Sequence, residues 1–419
     1  MFNRFKIAIF QNVRSKVGEF VRTRRAKSSG QAKRLDSVEG IKYFKEGEAF
    51  DKNALIMLYP DAWLTAKREH PNIKLYNHTG FVYSIVKALN LNGYRVDMIH
   101  PDSDFVVEKD YDVFIGHGAK SEKFVTQLAD HTIIYQYISG LYYKVFNQES
   151  DARYDRFKLK NNVKEPLDHN RSMEGMHHGL EFLNNRADVL FTIHCPRMCA
   201  AYGTNSSKFY YTGLGAYIDP LFIVDDAERD FEKGRKNFIY VGGTSGNLQK
   251  GLDLLIEAFS KTPDLNLYIY CKVEEEILQY CRKELASKNI HYIYHWRFPI
   301  FQDKLKSLLK ECIFSVHAPI NIGMGTAFMA TLGVGMIPVG YLDINDPTDD
   351  EVLSSDWSVE SLMVAVTKAS EMPVYWCKKA SSASLVRYKH YCDPQEVEKN
   401  FIRMFSSDHV GKTSKELES

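Results

Sequence analysis

From about residue 53 the chain alternates short runs of β-branched and aromatic residues with segments whose apolar positions recur every three or four residues. NALIMLY (53–59) predicts a strand, and GFVYSIVKALNLNGY (80–94) predicts a helix ended by Gly93. RVDMIHP gives a second strand, YDVFIGHG (111–118) a third, 119–129 a helix and TIIYQYIS (132–139) a fourth strand. Residues 141–176 are charged and aromatic with weak periodicity, which predicts an insertion or a mobile loop. HHGLEFLNNRA and VLFTIH then resume the helix–strand order. Runs that are apolar on both faces and joined through helices imply a parallel sheet.

The polar stretch DDAERDFEKGRKN (225–237) predicts a linker. The alternation restarts beyond it, with strands at 238–243, 265–271, 290–295, 312–319 and 336–341 and helices at 252–260, 273–286, 301–311 and 326–334. That is a second doubly wound unit of similar size. RYKHYCDPQEVEKNFIRMF (387–405) predicts a helix after Asp393-Pro394, and GKTSKELES a disordered tail. The expected division is an N-terminal extension at 1–50, a first domain at 51–228, a second at 229–385 and a closing helix and tail at 386–419.

Composition narrows the function classes. A chain of 419 residues is too long for one ordinary core and fits two α/β domains. No stretch approaches ~20 consecutive apolar residues, and the start MFNRFKIAIF lacks the pattern of a secretory signal, so the expected location is the cytoplasm. The seven cysteines are scattered and odd in number, which predicts reduced, mostly buried thiols. Cys195 and Cys199, with His194, find no second pair at matching spacing, so no zinc or other metal site is expected.

Charge is distributed unevenly. Residues 1–34 hold ten Lys or Arg against the single acid Glu19, whereas the rest of the chain has 44 basic and 52 acidic residues. The arm also spaces Phe2, Phe5, Ile9, Val13, Val17 and Phe20 as an apolar stripe. Such a segment suits the surface of an anionic membrane, at the inner face of the cell membrane. A solvated basic extension, or a helix docked on its own protein, fits the same pattern. The acidic body excludes nucleic acid as the expected partner.

Two glycine-bearing segments carry the candidate chemistry. In YVGGTSGNLQKGLDLLIEAF (240–259) a strand ends at Gly242-Gly243, and Lys250-Gly251 opens a helix. Glycines admit a ligand close to the backbone, N–H groups at a helix start attract an anion, and a lysine adds a point charge suited to a diphosphate. In SVHAPINIGMGTAFMATLGVGMIPVG (315–340) a strand leads to Gly323-Met324-Gly325-Thr326 and a helix. Gly323-x-Gly325, with Asp343 about twenty residues on, also mimics a dinucleotide-dehydrogenase fingerprint, but Phe328 stands at its third glycine position.

KGLDLLIEAF resembles the lysine-bearing motif of the family 4 glycosyltransferases and their GT-B relatives. Pro319, Gly323, Gly325, Gly335, Pro338 and Val339 match that family's second motif. The resemblance implies two Rossmann-like, doubly wound α/β domains facing a cleft, with the final helix crossing back to the first domain. It implies transfer of a sugar from a nucleoside diphosphate sugar to a hydroxyl acceptor, with retention, no obligatory metal and no cofactor beyond that donor. Lys250, Gly251 and the backbone of 323–326 would hold the donor's diphosphate, beside Gly242 and Gly243. The family's arginine position is Gly243, and its two glutamates fall on Ile322 and Ala330. A catalytically silent, sugar-binding GT-B protein is therefore the alternative.

His117 resembles the family's strand-end histidine near the reacting sugar, a position suited to orienting a hydroxyl or moving a proton. Thr79-Gly80 resembles the family's glycine turn near the donor phosphate. HNRSMEGMHH (169–178) clusters His169, Arg171, Glu174 and His177, a mix suited to a glycan or lipid-linked acceptor. A solvated helix start accounts for the same cluster. Trp296 and Arg297 fall where the family places the nucleobase, and core packing explains Trp296 equally well.

Overall fold

A computed structural model describes residues 37–41, 50–58, 60, 77–138, 140–164, 167, 177–192, 200–202, 209–213, 228–243, 245–294, 303–320, 326–341, 352–353 and 356–406. In the first half, strands β1 (Ser37–Ile41) and β2 (Lys52–Met57) precede helix α1 (Asn77–Leu91), β3 (Tyr94–Ile99) and β4 (Val113–His117). Then come α2 (Glu122–Val125), β5 (Ile133–Ile138), α3 (Tyr143–Asn161), α4 (His177–Arg186), β6 (Val189–Thr192) and β7 (Phe209–Tyr211). The second half runs α5 (Phe231–Gly234), β8 (Asn237–Val241), α6 (Leu252–Ser260), β9 (Asn266–Cys271), α7 (Glu275–Tyr280), α8 (Arg282–Leu285) and β10 (Ile290–Tyr294). It continues with α9 (Asp303–Glu311), β11 (Phe314–His317), α10 (Thr326–Gly333), β12 (Ile337–Gly340) and β13 (Val352–Leu353). Helices α11 (Val359–Glu371), α12 (Val374–Tyr391) and α13 (Pro394–Met404) close the chain.

Two sheets result, in the orders β1-β3-β2-β4-β5-β6-β7 and β10-β9-β8-β11-β12-β13. Every pairing is parallel except β1 on β3. Parallel strands need helices on both faces, and the strands are apolar on both faces for that reason. In β2, Ala54 and Ile56 enter one buried cluster while Leu55 and Met57 enter another. In β8, Phe238 and Tyr240 likewise point away from Ile239 and Val241. Alternation of period two thus feeds four apolar layers from two sheets.

Several expectations are corrected here. Strand β1 is an edge strand of the first sheet, although residues 1–50 read as an extension. The helix expected at 119–129 shortens to a 3-10 turn and α2, because Thr126 Oγ1 and Gln127 Nε2 donate to the carbonyls of Glu122 and Lys123. The helix expected at 273–286 divides at buried Cys281, whose backbone leaves the helical region. The described part of the expected linker is integrated into the second domain. Arg229 is buried, donates to the carbonyls of Val334 and Gly335, and reaches Ser381 Oγ at 3.3 Å. Cys271, Cys281, Cys312, Cys377 and Cys392 are free and buried, and no helix among the described residues is long and apolar enough to cross a membrane.

The largest correction concerns residues 141–176, whose first half is the nineteen-residue helix α3. Its buried positions are Tyr143, Phe146, Ser150, Arg153, Tyr154 and Phe157. That is helical spacing, but a serine and an arginine interrupt it, which hid the period in the sequence. Phe146 belongs to the first domain's core, whereas Tyr154 and Phe157 belong to the second's. Along its charged side, Arg153 and Arg156 face Asp253 at 3.9 and 3.4 Å, and Arg156 and Lys160 reach Glu257 at 3.2 and 2.7 Å. Arg153 is fully buried, donates Nη2 to the Ala318 carbonyl at 3.1 Å and lies over the Trp357 ring at 4.6 Å. Burial lowers its guanidinium pKa to about 10 and raises that of the Asp253 carboxyl.

The chain end makes the second crossing. Asp393 caps α13 by accepting from Gln395 N–H, with Pro394 opening the helix as its sequence predicts. Val397, Phe401 and Met404 enter the first domain's core, and Phe401 meets Phe81 edge-on at 5.4 Å. Lys87 pairs with Glu398 at 2.5 Å.

Replacing Arg153 with Ala leaves buried Asp253 only the partly exposed Arg156, at 3.4 Å, and should cost about 3–5 kcal/mol in urea unfolding. The double variant Arg153→Met/Asp253→Leu should recover much of that loss, since no uncompensated charge remains. A loss below about 1 kcal/mol in the single variant would show that the bridge is not structural.

Candidate functional site

In the second sheet the chain proceeds from β8 to β9 and β10 on one side, then returns to place β11, β12 and β13 on the other. The order therefore reverses between β8 and β11, and ligands of open α/β sheets bind outside the carboxyl ends at such a reversal. The loop from Gly242 to Gly251 leaves β8 at this crevice.

Asn247 builds that loop from within. Its Oδ1 accepts from Tyr240 Oη at 3.0 Å, and its Nδ2 donates to the Lys272 carbonyl at 2.9 Å and to Glu274 Oε2 at 2.8 Å. Its backbone N–H donates to Glu274 Oε1 at 2.7 Å. Gly242 is glycine for this reason: a Cβ there would stand 2.5 Å from Asn247 Oδ1. Gly243 faces Lys250, whose Nζ would lie 3.0 Å from an added Cβ and donates to the Ser245 carbonyl at 3.2 Å. The ammonium thus folds back over the strand end, across the position that holds arginine in the resembling family.

Gly251 is also held by the protein's own packing. It caps α6 with φ 76°, and a Cβ would stand 2.3 Å from the Ala318 carbonyl oxygen and 2.8 Å from Arg153 Nη1. Its small size serves the packing of α6 against β11 and α3. The N–H groups of Lys250, Gly251 and Leu252 donate to the carbonyls of Gly246, Leu248 and Asn247. The charge offered to an anion at this loop is therefore the Lys250 ammonium, with those three amides already engaged.

His317, at the carboxyl end of β11, enters the site from the structure alone. It is buried between Tyr240 and Phe328, with ring centroids 5.8 and 5.1 Å away, and its Nε2 has no hydrogen-bond partner among the described residues. Burial, assisted by the Lys250 charge, lowers its pKa to about 3, so the ring is neutral at pH 7. The signal in the sequence was a histidine at the end of a largely apolar run, and nothing local separated it from a histidine satisfied in the core.

The remaining candidates distribute as follows. His117 ends β4, beside the strand reversal between β2 and β4 in the first sheet, half-buried with its ring 5.1 Å from Tyr137. Thr79 and Gly80 lie inside the first turn of α1, which begins at Asn77, rather than in a turn preceding it. His177 is the first residue of α4 and Thr326 the first of α10. Gly323, Met324, Gly325, His169, Arg171, Glu174, Ile322, Cys195, Cys199, Trp296, Arg297 and the arm 1–34 lie outside the described residues. Ala330, at the second family glutamate position, packs against an apolar cluster that includes Leu305, Leu308 and Val334.

The sequence matches no protein-family model and no curated protein. Solved structures are similar. Sucrose-phosphate synthase from Thermosynechococcus elongatus aligns with TM-score 0.57 at 10% identity, over 84% of this chain and 98% of that one. Anabaena HepE, solved with UDP and glucose, aligns with TM-score 0.51 at 10% identity, over 85% and 99%. WaaG, a glycosyltransferase involved in lipopolysaccharide biosynthesis, aligns with TM-score 0.51 at 11% identity, over 85% and 100%. The fold is GT-B. Its two Rossmann-like, doubly wound domains are those expected from the sequence.

The buried neutral His317 has a pH consequence. Its folded pKa lies below the unfolded value of 6.5, so stability contributed by this residue is complete above that pH. It is lost at about 1.4 kcal/mol per unit as pH falls toward 3, because the unfolded chain alone takes the proton. His317→Gln should remove one proton from the acid limb of a urea-midpoint-versus-pH curve; an unchanged limb would refute the assignment. Gly251→Ala should destabilise more than Gly118→Ala, since both have positive φ but an added Cβ meets nothing within 4 Å at Gly118.

Proposed function

We propose that the protein is a glycosyltransferase that moves a sugar from a nucleoside diphosphate sugar to a hydroxyl acceptor. The carrying observation is the Lys250 ammonium, folded over the carboxyl end of β8 at the strand reversal. A GT-B fold offers its donor site at that place, and a lysine there supplies positive charge for a departing diphosphate. HepE, similar in fold, was solved with UDP and glucose.

In this reading the Lys250 ammonium and the backbone of Gly323, Met324, Gly325 and Thr326 hold the diphosphate, with Gly242, Gly243 and Gly251 shaping the donor-binding loop and Thr79 and Gly80 approaching from the first domain. His117 stands by the sugar and orients a hydroxyl or carries its proton. Closure of the domains excludes water, and the transfer proceeds with retention, without a metal or a further cofactor. The acceptor is a glycan or a lipid-linked sugar of cell-surface polysaccharide or glycolipid assembly, held by His169, Arg171, Glu174 and His177. The protein works in the cytoplasm, and residues 1–34 bring it to the inner face of an anionic membrane. A second reading, a catalytically silent sugar-binding relative, is favoured by Ala330, an apolar residue packed where the family has a glutamate.

Thermal-shift screening with nucleotide sugars tests both readings. Stabilisation by a nucleoside diphosphate sugar, followed by its turnover with an acceptor, is expected of the transferase. Binding without turnover supports the silent reading, and no stabilisation by any nucleotide overturns the donor site. Lys250→Ala should weaken nucleotide binding by about 1.5–3 kcal/mol, roughly ten- to hundredfold, by calorimetric titration. Unchanged affinity would remove Lys250 from the site.

A further inference from the structure

Helix α12 carries a surface that neither the fold nor the proposed transfer uses. Its inner side is buried, through Cys377, Ala380, Ser381, Ser384 and Arg387, with Ser381 Oγ donating to the Gly335 carbonyl at 2.6 Å. Its outer side exposes Tyr375 (70%), Trp376 (41%), Leu385 (39%) and Val386 (69%). At 100° per residue these share one half of the helix with the exposed Lys378, Lys379 and Lys389. Lys379 Nζ lies 4.6 Å from the Trp376 ring, which itself meets Tyr375 edge-on at 5.2 Å. The eighteen residues of α12 include no aspartate or glutamate.

We propose that this face of α12 docks on an anionic lipid bilayer. Single exposed apolar residues need no explanation, but aromatic and aliphatic side chains interleaved with lysines on a helix that has no acidic residue of its own do. Tyr and Trp bring an apolar body and a polar edge to the depth of lipid headgroups, Leu385 and Val386 bury in the acyl boundary, and the lysines meet lipid phosphates. Charge argues against the other occupants. A symmetric dimer through this face would set lysines against lysines, and the arm 1–34, with ten basic residues and one acid, has the same sign. The inference is independent of the transferase reading, and its surface is separate from the arm.

Sedimentation of the full chain with phosphatidylglycerol-rich vesicles, against pure phosphatidylcholine vesicles, tests it. The chain should partition onto the anionic vesicles, and K378E/K379E/K389E should lower that partitioning at least about tenfold with unchanged thermal unfolding. The fluorescence blue shift on vesicle binding should vanish in Trp376→Phe, which leaves Trp63, Trp296 and Trp357 in place. Equal sedimentation of the triple variant, or a blue shift retained without Trp376, would overturn the proposal. So would conversion of a dimer to a monomer by Tyr375→Ser/Val386→Ser, which assigns the face to a second copy. Displacement from vesicles by duplex DNA bound through the same lysines would assign it to a soluble polyanion.

Discussion

The burial of Arg153 between the domains governs much of this structure. Each sheet has its own apolar layers, and two separate α/β units would ordinarily be free to reorient about their connection. Helix α3 removes that freedom by belonging to both cores, with Phe146 in one and Tyr154 and Phe157 in the other. A guanidinium at the middle of such a helix would be expensive to desolvate without compensation. The Ala318 carbonyl, the Trp357 ring and the charge of Asp253 at 3.9 Å offset part of that cost, all three from the second domain, while Nε and Nη1 make no hydrogen bond among the described residues. The charged ladder of Arg153, Arg156 and Lys160 against Asp253 and Glu257 then fixes the register of α3 on α6.

The candidate site depends on the same contacts. Ser150 of α3 accepts from Gln249 Nε2 at 2.9 Å, and the Gln249 carbonyl accepts from Ile320 N–H at 3.0 Å. Ile320, which follows β11 in the second domain, packs into the core of the first. The loop bearing Lys250 is therefore held from within by Asn247 and from outside by α3. A lysine on an unconstrained loop would lose much of its value to rotamer entropy; this one is directed by a braced backbone toward the strand reversal.

Legibility in the sequence followed the physics of each segment. Strands β2, β4, β5, β8, β9, β11 and β12 were readable because burial on both faces leaves continuous apolar runs. Helix α6 was readable to its ends, since seven of its nine residues are buried and its start is marked by Gly251. Helix α3 was not, because its two ends answer to different cores and its middle buries an ion pair. The glycines were read correctly as sites of close approach, yet Gly242 and Gly251 approach Asn247 and Ala318. A single sequence does not distinguish a backbone that makes room for a ligand from one that makes room for its own side chains. His317 was overlooked because its meaning lies in the missing partner of Nε2, a property of the packed environment.

By itself, the sequence determined the class of the fold: periods of two and near 3.6 alternate twice along the chain, and hydrophobic burial leaves two doubly wound units as the solution. It also determined where the candidate glycine and lysine segment sits, since strand-ending glycines and a helix start are local features. Tertiary structure alone decided how the halves are joined, which amides of the loop are already engaged, and that a buried neutral histidine feels the Lys250 charge. The joining of the halves rests on contacts between residues about a hundred positions apart, Arg153 with Asp253 and Ser150 with Gln249, whose partners no local pattern specifies.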